Sequence, residues 1–152
     1  MKIERSEDIK AWQEGRVLVR MIYAAAGSDL PFGSDYRFRE QIRGAAVSVM
    51  SNIAEGFSRR TTKEFIQFLF IAKGSVAEVQ SQLYVALDQT YISEERFHEL
   101  YAKSDEVARL ISGFIGYLLN KDKQQPLKES NKLRQRKEPK ELNKLEKLKE
   151  LK

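Results

Sequence analysis

The chain has no cysteine and a single histidine, His98. The first absence rules out disulfides and cysteine-ligated metals, and it suits a reducing compartment, so a cytoplasmic location is expected. With one histidine and no cysteine, the cysteine versions of a nucleophilic triad are excluded and a single imidazole is left to serve as the base beside any other nucleophile. Only three prolines and eight glycines occur in 152 residues, so little interrupts a long periodic segment. No apolar run approaches the ~20 residues that span a bilayer, so no membrane partner is expected. The opening MKIERSEDIK lacks the apolar stretch of a secretory signal, and none is expected.

Hydrophobic residues make up 41% of the chain, enough for a core, and charged residues 32%. The net charge of +5 is unevenly placed. Residues 121–152 hold 12 Lys or Arg and 6 Asp or Glu, a net of +6, which leaves residues 1–120 with 15 basic and 16 acidic residues, a net of −1. The basic pI of 9.4 therefore belongs to the tail. A uniformly basic body would have marked a nucleic-acid-binding surface, and this body is near neutral.

Four helical segments are expected. The first starts near Ser6, with Glu7 and Asp8 where the helix dipole favours acids. Its stripe is Trp12, Gly15, Val19, Ile22 and Ala26, and GSDLPFGSD after it reads as a loop. The second runs from Ser34 or Asp35 to about Phe57, with Phe38, Ile42, Ala45, Val49 and Ile53 facing a core and Gly56 loosening its end. The third opens on Thr61 as N-cap, with Glu64 reaching back to the Thr61 amide in a capping box. Its seam, Phe65, Leu69, Ala72, Val76, Val79, Leu83 and Ala86, alternates steps of four and three, as bundle helices do. The fourth is capped by Ser93 and has the seam Phe97, Leu100, Ser104, Val107, Ile111, Phe114 and Leu118. The implied architecture is an all-α, antiparallel up-down-up-down four-helix bundle over residues 1–120. Residues 121–152 lack aromatics and contain Pro126 and Pro139. They read as a basic tail, disordered or transiently helical, because Leu142, Leu145, Leu148 and Leu151 repeat every three residues and form no straight stripe.

Little in this pattern points to catalysis, and no enzyme activity is expected. Glu95-x-x-His98 has the spacing of a bundle metal site but has no second copy, so no metal or other cofactor is expected. Gly74-Ser75 lies mid-helix and lacks the spacing of a phosphate loop. More telling is a second stripe on helix two: Gln41, Gly44, Ser48, Asn52, Glu55 and Arg59 are small or polar along its whole length. Such a face lets a backbone approach and offers it hydrogen bonds. Gly74, Ser75 and Glu78 on helix three form a matching set, which meets helix two within the chain or meets a second subunit. For nucleic acid the candidate contacts are Arg37, Arg39, Arg43, Arg59 and Arg60 around helix two, and Lys132, Arg134, Arg136 and Lys137 in the tail. Ion pairing with nearby acids and a solubilising role are the alternatives.

Several of these segments resemble the four-helix-bundle family of 23S rRNA-intervening sequence proteins. The resemblance rests on Asp8-Ile9-Lys10-Ala11-Trp12-Gln13, on Gln41-Ile42-Arg43 with Ala45-Ala46-Val47-Ser48, on Ser51 through Phe57 (SNIAEGF), and on Phe68-Leu69 with Ala72-Lys73-Gly74-Ser75 through Glu78. It covers roughly residues 8–120. Gly44 stands where the family usually has an arginine, Met50 where proline is common, and Ser58 where glycine is common. The resemblance implies small bacterial proteins without established catalytic activity, often assembled as homopentameric rings. It also implies a structural likeness to the accessory variability determinant of diversity-generating retroelements, which binds a reverse transcriptase and nucleic acid. Expected partners are thus a second copy of the chain, RNA or DNA, or a reverse transcriptase.

Overall fold

The computed structural model describes the backbone of residues 2–27 and 31–149, with side chains to Gln125 and that of Lys132. All regular structure among these residues is helical. The chain begins with a single 3-10 turn, Ser6–Asp8, and not with the first long helix. Ile9 is extended (φ −80°, ψ 121°) and buried, so it breaks the path. Asp8 braces the break by accepting from the Glu4 and Arg5 amides, each at 3.0 Å. Those two N–H donors hold its carboxyl below the ordinary range.

Helix α1 (Lys10–Ala25) then buries Ala11, Gly15, Leu18, Ile22 and Ala25. Of the expected stripe, Gly15, Ile22 and Ala26 are buried, whereas Trp12 and Val19 are only half-buried, on its flank, and Ala11 and Leu18 fill the core in their place. The loop that follows contains a helical turn, α2 (Pro31–Ser34), which its composition hides. Proline suits a first helical position. Phe32 in this turn is buried against Phe38 and Tyr91, with ring centroids 5.4 and 5.3 Å away.

Helix α3 (Tyr36–Ser58) starts at Asp35, whose carboxylate accepts from the Phe38 amide at 3.1 Å. It buries Ile42, Ala45, Ala46, Val49, Ile53 and Gly56. Helix α4 (Thr62–Asp88) buries Leu69, Ala72, Ser75, Val76, Val79, Leu83 and Ala86, the expected seam apart from Phe65, which is half-buried. Its cap is half of the expected box. Thr61 Oγ1 accepts from the Glu64 amide at 3.2 Å, but Glu64 binds that same hydroxyl, at 2.8 Å, and not the Thr61 amide. The far end of α4 closes with Thr90 at φ 60°. The Tyr91 amide reaches the Ala86 carbonyl at 2.8 Å and the Thr90 amide the Leu87 carbonyl at 3.0 Å, the paired bonds of a Schellman stop. Helix α5 (Glu94–Lys149) is capped by Ser93, which accepts from the Arg96 amide at 3.1 Å.

Within the unit Met1–Gly116, α3 packs on both α1 and α4. The start of α5 closes the circuit. Phe114 meets Phe65 of α4 at 5.5 Å, and Lys103 meets Glu14 of α1 at 2.7 Å. The result is the antiparallel four-helix bundle. The second unit, Tyr117–Lys152, is helical through Lys149. Lys, Glu, Leu, Gln and Arg dominate it and are good helix formers.

Candidate interaction surface

The small polar stripe divides between the inside and the outside of the bundle. Asn52 Nδ2 donates to Ser48 Oγ at 2.9 Å and to the Ser48 carbonyl at 2.8 Å. Ser48 Oγ lies 3.0 Å from Ser75 Oγ, and Ser75 Oγ donates to the Ile71 carbonyl at 3.2 Å. Each hydroxyl has one proton, so the chain of donors runs Asn52, Ser48, Ser75, Ile71. It ties α3 to α4 within one molecule. Gln41, Glu55 and Glu78 are exposed. Glu55 is paired with Arg59 at 2.6 Å.

The glycines sort in a way that spacing does not foretell. Gly56 is the close crossing between α3 and α4: an added Cβ would stand 2.7 Å from Phe68 Cβ and 2.8 Å from Phe65 Cδ2. It holds the hairpin shut and does not loosen the helix end. Gly74 is the opposite case. It is exposed, and a Cβ there would meet nothing within 4 Å, as at Gly44. No contact in the chain itself requires glycine at either place, although each costs an interior helix about 1 kcal/mol relative to alanine. Around Gly74 the outer side of α4 exposes Phe70, Ile71, Tyr84 and Val85, and α3 exposes Val47. Their signal in the chain is that they are apolar and lie off the seam.

The arginines also divide. Arg43 donates to the Ala26 carbonyl at 2.9 Å and lies over the Tyr23 ring at 4.5 Å. Arg39 donates to the Gly33 carbonyl at 3.4 Å and lies over Tyr36 at 5.1 Å. Both are largely covered; Arg43 pins α3 to the end of α1, and Arg39 pins it to the α2 turn. Arg59 stacks on Phe68 at 4.8 Å while pairing with Glu55. Together with Arg60, Ser58 and Glu64 these two line a polar cleft of about 480 Å³ at the α3–α4 turn. Arg37, Arg60 and Lys132 are exposed. The side chains of Arg134, Arg136 and Lys137 lie outside the described residues. His98 is exposed, its ring edge-on to Phe97. No helix among the described residues is long and apolar enough to cross a membrane.

A family model for the 23S rRNA-intervening sequence protein matches residues 7–113, the span that builds this bundle and both of its crossings. The chain belongs to that family. A crystal structure of a protein of unknown function from the S23 ribosomal protein family of Bacteroides thetaiotaomicron VPI-5482 is similar in fold. Its TM-score is 0.63 at 20% identity, covering 69% of this chain and 97% of that one. No curated protein matches the chain. In this member of the 23S rRNA-intervening sequence family, the matched segment SNIAEGF carries Asn52 and Gly56, and the segment AKGS carries Ser75. The residues behind the resemblance are therefore, in good part, those that join α3 to α4.

Proposed function

We propose that this protein acts by binding and not by catalysis, as a homo-oligomeric helical scaffold for a macromolecular partner, either RNA or a nucleic-acid enzyme such as a reverse transcriptase. The observation that carries this reading is the outer face of α3 and α4. Two helices with well-filled cores leave glycines open at Gly44 and Gly74 beside exposed Val47, Phe70, Ile71 and Val85. Apolar area of this kind gains by being covered, and open glycines let a helix backbone approach. The family resemblance implies five copies. Light scattering of the full chain at micromolar concentration tests the reading: a mass several times 17.6 kDa is expected, and a monomer at every concentration contradicts it.

The charge partition favours a second reading, direct and non-specific binding of nucleic acid through the tail. Residues 121–152 carry the net positive charge, while Arg39 and Arg43 are engaged in the bundle. Binding of this type releases counterions and weakens steeply with salt. An RNA or DNA titration at low and moderate salt tests it; no binding by the full chain at low salt ends it.

A further inference from the structure

The flank between α1 and α3 carries arginines and tyrosines that neither the outer α4 face nor the tail accounts for. On α1, Arg16, Arg20 and Tyr23 fall within about 60° of the helix circumference, and all three are exposed. On α3, Arg43 lies over the Tyr23 ring at 4.5 Å and Arg39 over the Tyr36 ring at 5.1 Å. Both guanidiniums are fixed from behind, by the Ala26 and Gly33 carbonyls at 2.9 and 3.4 Å. Each tyrosine is thus held by a cation on one face, while 44% of Tyr23 and 66% of Tyr36 stays exposed. The helices are antiparallel, so the track from Arg16 past Tyr23 and Arg43 to Tyr36 runs about 20 Å, at about 1.5 Å per residue.

The track is locally basic within a near-neutral body. Glu40 is the acid along it, 3.6 Å from Arg39 Nε and 3.5 Å from Arg43 Nη1. It shares one carboxylate between those two and leaves Arg16 and Arg20, which make no ion pair among the described residues.

We infer that this track binds an unpaired nucleic-acid strand, with bases stacked on the free faces of Tyr23 and Tyr36 and phosphates on Arg16 and Arg20. Aromatic rings interleaved with cations hold single strands without reading sequence, because every base has a face to stack. A duplex hides those faces and would meet the arginines alone. An acidic peptide would leave both rings idle. Arg39 and Arg43 are positioning residues: they fix the rings before a strand arrives, which lowers the ordering cost of binding. The inference rests on the nucleic-acid reading proposed above and adds a site on the bundle and a preference for unpaired strands. The tail's charge attracts any phosphate chain, and the track tells single strand from duplex.

The test titrates the full chain with a short single-stranded oligonucleotide and with the blunt duplex of the same sequence, at one salt concentration. The single strand should bind about tenfold tighter. Tyr23→Ala and Tyr36→Ala should each remove most of that preference, with duplex affinity and helicity unchanged. Tyr23→Phe and Tyr36→Phe keep the ring and should retain it. Arg16→Ala and Arg20→Ala should each lower the salt slope for the single strand by about 0.7. Equal affinity for the two forms, or a preference that survives both alanine variants, would overturn the track and leave binding by the tail standing. If the Arg16 and Arg20 variants lose binding to poly-glutamate and keep the strand preference, the surface belongs to an acidic protein segment and the inference also fails. Binding to neither nucleic-acid form would overturn both the track and the reading it rests on.

Discussion

Gly56 and Gly74 are both interior to long helices, and only their surroundings tell them apart. Gly56→Ala gains helix propensity but drives a methyl into Phe65 and Phe68. A loss of about 1–3 kcal/mol is expected, the usual cost of overpacking, measurable by urea unfolding. Gly74→Ala meets nothing in its own chain, so in the isolated fold it should gain about 1 kcal/mol. Thr90 offers a third case. A β-branched residue at φ 60° is strained, and the Schellman stop it completes is ordinarily made by glycine. Thr90→Gly should raise stability by about 1 kcal/mol, seen as a higher midpoint of thermal unfolding. The same residue with Ala in place of Gly should gain little, since alanine keeps the Cβ.

At the scale of elements, α1 and α5 are joined by ionised groups as well as by packing. Glu14 accepts from Lys103 at 2.7 Å and pairs with Lys10 at 2.9 Å, and Lys103 also meets Glu106 at 2.8 Å. The Lys103 and Lys10 ammonium groups hold the Glu14 carboxyl below its ordinary 4.5. Glu106 and then Glu14 push Lys103 above its ordinary 10.5. A depressed carboxyl contributes stability above its unfolded pKa and loses it as pH falls through the folded one. A raised amine contributes below its unfolded pKa and loses it as pH rises through the folded one. The network is therefore fully effective between about pH 4.5 and 10.5. Glu14→Gln should cost about 1 kcal/mol at pH 7. That deficit should shrink in acid, below the carboxyl's folded pKa, where the wild type has lost the same charge.

The same scale shows what was legible in the chain. The seams of α4 and of the bundle part of α5 could be read because their steps of four and three allow only one face. In α1 three of the five expected positions, Gly15, Ile22 and Ala26, are buried, and the other two lie one residue off the core. Trp12 is more hydrophobic than Ala11, and Val19 and Leu18 are both apolar, so composition does not choose between the neighbours; the helix buries Ala11 and Leu18 and leaves Trp12 and Val19 at the edge of the stripe. The α2 turn was hidden because Pro-Phe-Gly-Ser has loop composition, and its reason for folding is Phe32 against Phe38 and the distant Tyr91. The Ser48–Ser75 contact was half legible. Small polar residues at helical spacing announced a contact, but not whether it was internal. Arg39 and Arg43 could not be placed from spacing, because their partners are backbone carbonyls of a turn and of a helix end.

For the whole molecule, the division of charge makes a prediction that separates the two proposed readings. Deleting residues 121–152 removes a net +6 and leaves a body of −1. If nucleic acid is held by the tail, the truncated chain should lose most of its affinity while keeping its helicity and mass. The full chain's affinity should fall steeply as salt rises. Equal binding by the truncated body would shift the phosphate surface to the exposed arginines of the bundle, Arg37 at the start of α3 and Arg60 at the α3–α4 turn.

The outer α4 face connects a filled bundle core to the proposed binding role, since its exposed apolar residues have no cover within the bundle. Its most direct test is the mass of the full chain in solution, followed across micromolar concentrations by light scattering. An assembly several times 17.6 kDa that dissociates on dilution is expected. A monomer of 17.6 kDa throughout, with the helices intact by circular dichroism, would contradict it.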